Sequence, residues 1–107
     1  MNGNLVDTNV IIRLLNGDSK AIALFDSFEH VFVSVITSGE LFYGAYKSSR
    51  VTENMEIFEG FLAAYTILDI DDEVSATYGR VKAGLVKCGV NIPENDLWIA
   101  ATALTKG

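Results

Sequence analysis

The segment LVDTNVII, residues 5–12, contains the change of pattern on which the fold depends. Leu5 and Val6 form a short apolar run that is typical of a buried strand, and Asp7 follows that run directly. After Asp7 the apolar residues recur with helical spacing as far as Leu15. The segment therefore predicts a strand that ends at an acidic residue and continues into a helix.

Two further acids follow the same rule. A β-branched and aromatic run at residues 31–35 predicts a second strand, and the motif TSGE at residues 37–40 matches a capping box, which places Glu40 at the start of the next helix. Near the C-terminus, Asn95 or Asp96 is expected to open a last helix. Three acids that are distant in the sequence thus lie at or near predicted helix starts.

The rest of the pattern completes an alternation of strands and helices. A third strand is predicted at residues 65–70, and the helix after it has an apolar stripe that runs from Val74 to Cys88. The other predicted helices begin at Asp18 or Ser19, at Val51 or Thr52, and at Asp71 or Asp72. This order favours a single α/β domain, residues 1–107, with a parallel sheet between two layers of helices.

Composition narrows the class of protein. A chain of 107 residues, 50% of them hydrophobic, suits one small globular domain. Its net charge of −6 and its isoelectric point near 4.5 argue against a broad basic surface, so a nucleic-acid substrate would require metal ions and a few local cations. The single cysteine, Cys88, is expected to be packed inside a protein of the reducing cytoplasm. No apolar run approaches the roughly 18 to 20 residues of a membrane span.

The acids predict a metal site. In an open parallel sheet, ligands collect outside the carboxyl ends of the strands, so Asp7, Glu40 and Asp96 are expected to meet there. Carboxylates gathered in one cleft repel each other unless a cation lies among them, and Mg²⁺ accepts oxygen ligands together with substrate phosphates. Helix capping also explains each acid taken separately. Taken jointly, the three acids favour divalent-metal-assisted phosphodiester hydrolysis.

Five segments in this order resemble the PIN-domain family, and in particular its VapC-type toxins from bacterial toxin–antitoxin pairs. They are LVDTNVI (5–11), VSVITSGEL (33–41), YGA (43–45), YGR (78–80) and IPENDLWIAA (92–101). The resemblance covers essentially the whole chain and depends on several motifs in sequence. It implies an α/β/α fold and a Mg²⁺- or Mn²⁺-dependent ribonuclease that hydrolyses RNA.

The resemblance also implies roles for particular residues. Asp7, Glu40 and Asp96 match the family's first three catalytic acids and metal ligands, and Thr8 matches a hydroxyl residue that orients the first carboxylate or a metal-bound water. A cognate VapB-type antitoxin and a homodimer are implied as partners. The family usually carries a fourth acid and a further strand after the last helix matched here, so the resemblance implies a C-terminally truncated PIN-like fold.

Three alternative functions remain to be compared with a ribonuclease. The chain could be a catalytically impaired binding module, with domain swapping or oligomerisation through an exposed edge of the first strand. A phosphoacceptor signalling domain would use Asp7, Asp69 and Lys106, but such domains have paired acids after the first strand. A haloacid-dehalogenase-like hydrolase is disfavoured because Asn9 stands where that family has a second aspartate.

Several residues allow two interpretations each. Glu94 is expected to be an exposed loop acid rather than an additional metal ligand, and Trp98 a packed residue rather than a platform for a base. The cations Lys47, Arg50 and Arg80 are either solvated or in contact with phosphate. Apolar helix residues form either a groove for a partner helix or part of the core; these are Leu14, Leu15, Phe25, Phe28 and Phe61.

Overall fold

The computed structural model describes residues 4–106, which form three strands and six helices. In chain order they are β1 (Asn4–Leu5), α1 (Thr8–Leu15), α2 (Ser19–Asp26), β2 (Val31–Ser34), α3 (Val35–Lys47), α4 (Val51–Ala63), β3 (Thr66–Leu68), α5 (Asp72–Lys87) and α6 (Glu94–Lys106). No helix among these residues is both long enough and apolar enough to cross a membrane.

The three strands form one parallel sheet in the order β1, β2, β3. Leu5 of β1 pairs with Phe32 of β2, and Ser34 at the end of β2 pairs with Leu68 of β3. Strand β2 therefore lies in the centre, and β1 and β3 are the edges of the described sheet. The helices complete a three-layer α/β/α arrangement, which confirms the predicted fold class.

The hydrophobic core lies where the sheet meets α1 to α4. Ile11, Val33 and Ala45 are completely buried, and Leu41 is almost so. Phe25 is also buried, and the partly buried residues that pack against the core include Leu14, Phe28 and Phe61. For these aromatic and aliphatic residues core packing is therefore the correct interpretation, whereas Leu15 remains 37% exposed.

Helix starts mostly follow local capping chemistry. The Asp18 carboxylate accepts hydrogen bonds from the backbone of Lys20 and Ala21, and the Asp71 carboxylate accepts one from Val74. Each bond satisfies a donor that the first turn of a helix otherwise leaves free. The predicted starts of α2 and α5 are confirmed, and α4 begins at its predicted residue without a side-chain cap.

The predicted start of α3 is wrong. The helix begins at Val35, immediately after β2, and the Ser34 hydroxyl caps it by accepting a hydrogen bond from the backbone of Ile36 at 3.1 Å. Glu40 consequently lies in the second turn and not at the third helical position. Because Ser34 supplies the cap earlier in the chain, the residues that resemble a capping box are already helical.

The last helix also begins earlier than predicted. Helix α6 starts at Glu94, so Asn95 and Asp96 occupy its first turn, and the carbonyl of Pro93 accepts a hydrogen bond from the backbone of Leu97. The prediction that Glu94 is a loop residue is wrong for this reason, although its side chain is exposed as expected.

Cys88 is exposed, which contradicts the prediction that it is packed. The apolar stripe of α5 is buried only at its beginning, where Val74 is inaccessible, and Leu85 is already half-buried. Helix α5 packs chiefly against α6. The C-terminal part of α5 therefore lies beyond the main core. An apolar stripe predicts which face of a helix is buried, but not how far along the helix its neighbour extends.

Polar contacts join the C-terminal end of α6 to the beginning of α5. The Lys106 ammonium lies 2.5 Å from the Asp71 carboxylate, and the Thr105 hydroxyl donates to that of Thr77 at 2.8 Å. The hydrogen bond from Lys106 lowers the pKa of Asp71. Lys106 thus serves to hold the two helices together, and not as the lysine that a phosphoacceptor site would place near Asp7.

Candidate active site

Asp7 lies at the junction of β1 and α1. It is the N-cap of α1, and its Oδ1 accepts a hydrogen bond from the backbone of Val10 at 2.9 Å. Its side chain is exposed, and no hydrogen bond joins its Oδ2 to another of residues 4–106. Asp7 therefore caps the helix with one oxygen and retains the other for a ligand, so the capping and metal-binding interpretations are compatible.

A side-chain hydrogen bond joins the first two predicted site segments. The Thr8 Oγ1 donates to Glu40 Oε1 at 2.7 Å, across 32 positions of sequence. Both residues are half-buried, and they lie on α1 and α3, which follow the neighbouring strands β1 and β2. The bond fixes one oxygen of Glu40 beside the residue that follows Asp7.

Asp96 lies in the first turn of α6, exposed and without a hydrogen bond to any other side chain of the described chain. Its neighbour Asn95 lines a pocket together with Glu40, so α6 does reach the side of α3 that carries the acid. The structure thus brings the α6 start to Glu40 through Asn95 rather than through Asp96 itself.

The donor types suit a hard cation, but the three carboxylates do not form a complete coordination sphere. Among residues 4–106 there is no group of three or more His, Cys, Asp or Glu side chains placed to hold one metal ion. Asp7 and Glu40 each have one oxygen that is not hydrogen-bonded within the described chain, as an oxygen-binding ion requires. The carboxylate oxygens are the type of ligand that Mg²⁺ binds. Asp96 does not join Asp7 and Glu40 in a group of three ligands in the described chain.

Glu94 belongs to a separate polar cluster between α5 and α6. Its carboxylate lies 2.6 Å from the Lys82 ammonium and accepts a second hydrogen bond from the Tyr78 hydroxyl. The hydrogen bond from Lys82 lowers the pKa of Glu94, and the same bond raises the pKa of Lys82. Glu94 is therefore engaged within the protein, and the interpretation as a metal ligand loses support.

Trp98 packs against this cluster. Its ring stacks on that of Tyr78 with a centroid distance of 3.7 Å and an angle of 4° between the planes. A face that is stacked on the protein's own aromatic ring is not open to a base, so packing is the better interpretation of Trp98. The stack and the ion pair together fix the first two turns of α6 against α5.

Two residues of this region were assigned no part in the functional site by the sequence prediction. Tyr43 and Asn95 line the pocket beside Glu40, and 66% of the Tyr43 surface is exposed. Tyr43 follows Glu40 by three positions, which places the two residues on neighbouring parts of one helix surface. This helical spacing could have identified Tyr43 from the sequence, because the predicted helix already included Glu40.

Comparisons with known proteins identify the family of the chain and agree with its fold. Residues 5–107 match the PIN domain family. The chain is 37% identical to "Ribonuclease VapC2" of Haemophilus influenzae over 96% of this chain and 80% of that protein, and 35% identical, with the same coverage, to "tRNA(fMet)-specific endonuclease VapC" of Salmonella typhimurium. The crystal structure of DNA-bound VapBC from Salmonella typhimurium superposes with a TM-score of 0.88 at 28% identity, covering 100% of this chain and 83% of that chain.

Proposed function

Because the chain belongs to the PIN-domain family, we propose that it is a metal-dependent endoribonuclease of the VapC kind that hydrolyses RNA at Asp7, Glu40 and Asp96. The hydrogen bond from Thr8 to Glu40 is the observation that carries the proposal. It joins α1 and α3, the helices that follow the adjacent parallel strands β1 and β2, on the side of the sheet where open α/β folds bind their ligands. Relatives named as a ribonuclease and as a tRNA-specific endonuclease support RNA as the substrate.

The protein's own residues have distinct tasks in this reaction. The three carboxylates would hold Mg²⁺ or Mn²⁺, and the bound ion would supply positive charge and a water of lowered pKa for the hydrolysis. Asp7 offers the oxygen that the helix cap leaves free, and Glu40 offers the oxygen that Thr8 does not engage. Thr8 is a positioning residue, because its hydroxyl sets the orientation of the Glu40 carboxylate. Asp96, in the first turn of α6, would be the third ligand.

A VapB-type antitoxin is the proposed protein partner, and a homodimer is the proposed assembly. Support for the antitoxin comes from the solved VapBC complex, whose chain superposes on the whole of this one. The acidic surface supports the need for metal, since a net charge of −6 repels RNA unless cations intervene. The single cysteine is in keeping with the proposed location in a reducing cytoplasm.

The test is cleavage of a structured RNA by the purified chain in Mg²⁺ or Mn²⁺, beside the same reaction in EDTA. Products should form with metal, disappear in EDTA and return when metal is added in excess, because the carboxylates cannot activate water unaided. Cleavage that continues undiminished in EDTA would contradict the proposal.

The catalytically impaired binding module remains a second candidate. The observation that favours it is the absence of a three-carboxylate group within residues 4–106. Such a module would bind the antitoxin and would not cleave RNA at any metal concentration. Strand β1, an edge of the described sheet, would then be a site for strand pairing or swapping between copies. The cleavage assay with titrated metal separates the two functions.

Thr8→Ala is expected to lower kcat by about 10- to 100-fold, because residues that orient metal ligands typically contribute that much. Thr8→Ser keeps the hydroxyl that donates to Glu40 and should restore most of the activity. Multiple-turnover cleavage at saturating RNA and a series of Mg²⁺ concentrations measures both kcat and the half-saturating concentration of metal.

The matched control is Thr52→Ala, since Thr52 lies exposed in the first turn of α4 and makes no contact with the acids. It should leave both parameters unchanged. Equal loss of activity in Thr8→Ser and Thr8→Ala would show that the hydroxyl is not the important group and would remove the positioning role.

A further inference from the structure

We infer that the pocket between α3 and α6 binds a nucleobase of single-stranded RNA next to the scissile phosphate, with the base stacked on Tyr43. The inference rests on the proposed ribonuclease function and adds a substrate subsite to it. Its basis is that Glu40, the exposed ring of Tyr43 and Asn95 line one pocket, and that a lysine ammonium lies over that ring.

The pocket adjoins the acidic site directly. It is lined by Val35, Ile36, Gly39, Glu40, Tyr43 and Asn95. Glu40 is a proposed metal ligand, and Asn95 is the residue before Asp96, so one of the three acids lines the pocket and a second follows a lining residue. A phosphate bound at Glu40 would have its adjoining nucleotide near the pocket.

Tyr43 offers the ring on which that nucleotide can stack. With 66% of its surface exposed, it is among the most exposed large apolar residues of the described chain, yet it belongs to the pocket and not to an isolated surface position. Aromatic side chains bind successive bases of single strands by stacking.

Lys47 supplies a cation at the same place. Its ammonium lies 5.1 Å from the centroid of the Tyr43 ring, one helical turn further along α3. The ammonium lies over one face of the ring, so a base would stack on the other face or take the place of the flexible lysine side chain. In a chain with a net charge of −6, such a local cation offsets part of the repulsion that phosphate meets at the acids.

The remaining walls suit the edge and the face of a base. Val35 and Ile36 provide an apolar surface, and the Asn95 amide carries both hydrogen-bond donors and an acceptor. Stacking accepts every base, whereas an amide can distinguish base edges, so Tyr43 would set the affinity and Asn95 the preference. Single-stranded loops of structured RNA present bases in this way.

The experiment measures binding of a fluorescently labelled single-stranded RNA octamer in Mg²⁺ by anisotropy, with every protein carrying Asp7→Asn so that the RNA stays intact. Tyr43→Ala should raise Kd by about 10-fold, since base stacking on an aromatic ring contributes roughly that factor, and Tyr43→Phe should stay close to the parent. Tyr46→Ala is the matched control: Tyr46 is equally exposed, at 66%, on the same helix, but does not line the pocket. Thermal unfolding of each variant verifies that it is folded.

The outcomes separate this inference from the proposed function. An equal effect of Tyr43→Ala and Tyr46→Ala, no effect of either, or a parent that does not bind the octamer overturns the base pocket. A parent that binds through Tyr43 while the chain without Asp7→Asn does not cleave RNA supports the pocket and contradicts the ribonuclease activity. Cleavage that is independent of Tyr43, together with antitoxin binding that depends on it, would make the pocket a protein-docking site and overturn the inference.

Discussion

Asp7→Asn is expected to reduce RNA cleavage by more than about 100-fold, because changes to residues that only orient metal ligands already cost about 10- to 100-fold. The substitution removes the negative charge but retains an oxygen that accepts the hydrogen bond from Val10. Asparagine is as good an N-cap as aspartate, so α1 should remain intact. The measurement is the rate of RNA cleavage in saturating Mg²⁺, beside the thermal unfolding of the variant.

Asp18→Asn is a matched control for this experiment. Asp18 caps α2 through its carboxylate just as Asp7 caps α1. Its hydrogen bonds go to the backbone of Lys20 and Ala21 and to none of the proposed site residues, so it should have no part in cleavage. Its variant should cleave at the rate of the parent. If Asp7→Asn cleaves as fast as Asp18→Asn, capping is the whole role of Asp7 and the acidic site has been assigned wrongly.

Leu41→Ala is expected to lower the free energy of unfolding by about 2–5 kcal/mol, the usual loss when a buried leucine is truncated to alanine. Leu41 is only 1% exposed. It belongs to the same hydrophobic core cluster as Ile11 and Val33. Domains of this kind have total stabilities of about 5–15 kcal/mol, so the loss is a large fraction. Urea unfolding of parent and variant measures it.

Leu104→Ala provides the comparison for the same side chain outside the core. Leu104 is 65% exposed on α6, so its truncation should change the free energy of unfolding by no more than about 0.5 kcal/mol. Similar losses for the two variants would contradict the position of the core described above. A changed slope of the urea transition in Leu41→Ala would instead indicate an altered unfolded or native state.

Much of the fold could be predicted from the sequence because its signals are local. Asp18 and Asp71 precede apolar helical patterns and satisfy free backbone donors, so the starts of α2 and α5 followed from capping chemistry alone. The start of α3 did not, since Ser34 and the later TSGE motif offer competing caps in one stretch. The end of the hydrogen-bonded pairing of β2 decides between them, and that pairing is not a local property.

The candidate site was predictable in chemistry and only partly in geometry. The acids and Thr8 followed from motif order and family resemblance, whereas the bond between Thr8 and Glu40 joins residues 32 positions apart and depends on how two helices pack. The pocket with Tyr43 and Asn95 likewise needs the contact between α3 and α6. The exposure of Cys88 shows the same limit, because a stripe on α5 does not reveal the length of its neighbour.

Strand β2 passes into α3 without a loop, since Ser34 ends the strand and Val35 begins the helix. Glu40 therefore lies on a helix that continues directly from the central strand. No loop between the strand and the helix provides a hinge through which Glu40 could move independently of the sheet. Asp96 instead follows the connection at residues 88–93, which separates α5 from α6. The site therefore joins an acid tied to the central strand to one carried by the α5–α6 pair. Because the Tyr78–Trp98 stack and the Lys82–Glu94 ion pair hold α6 on α5, a change in the distance between Glu40 and Asp96 would move these two helices together.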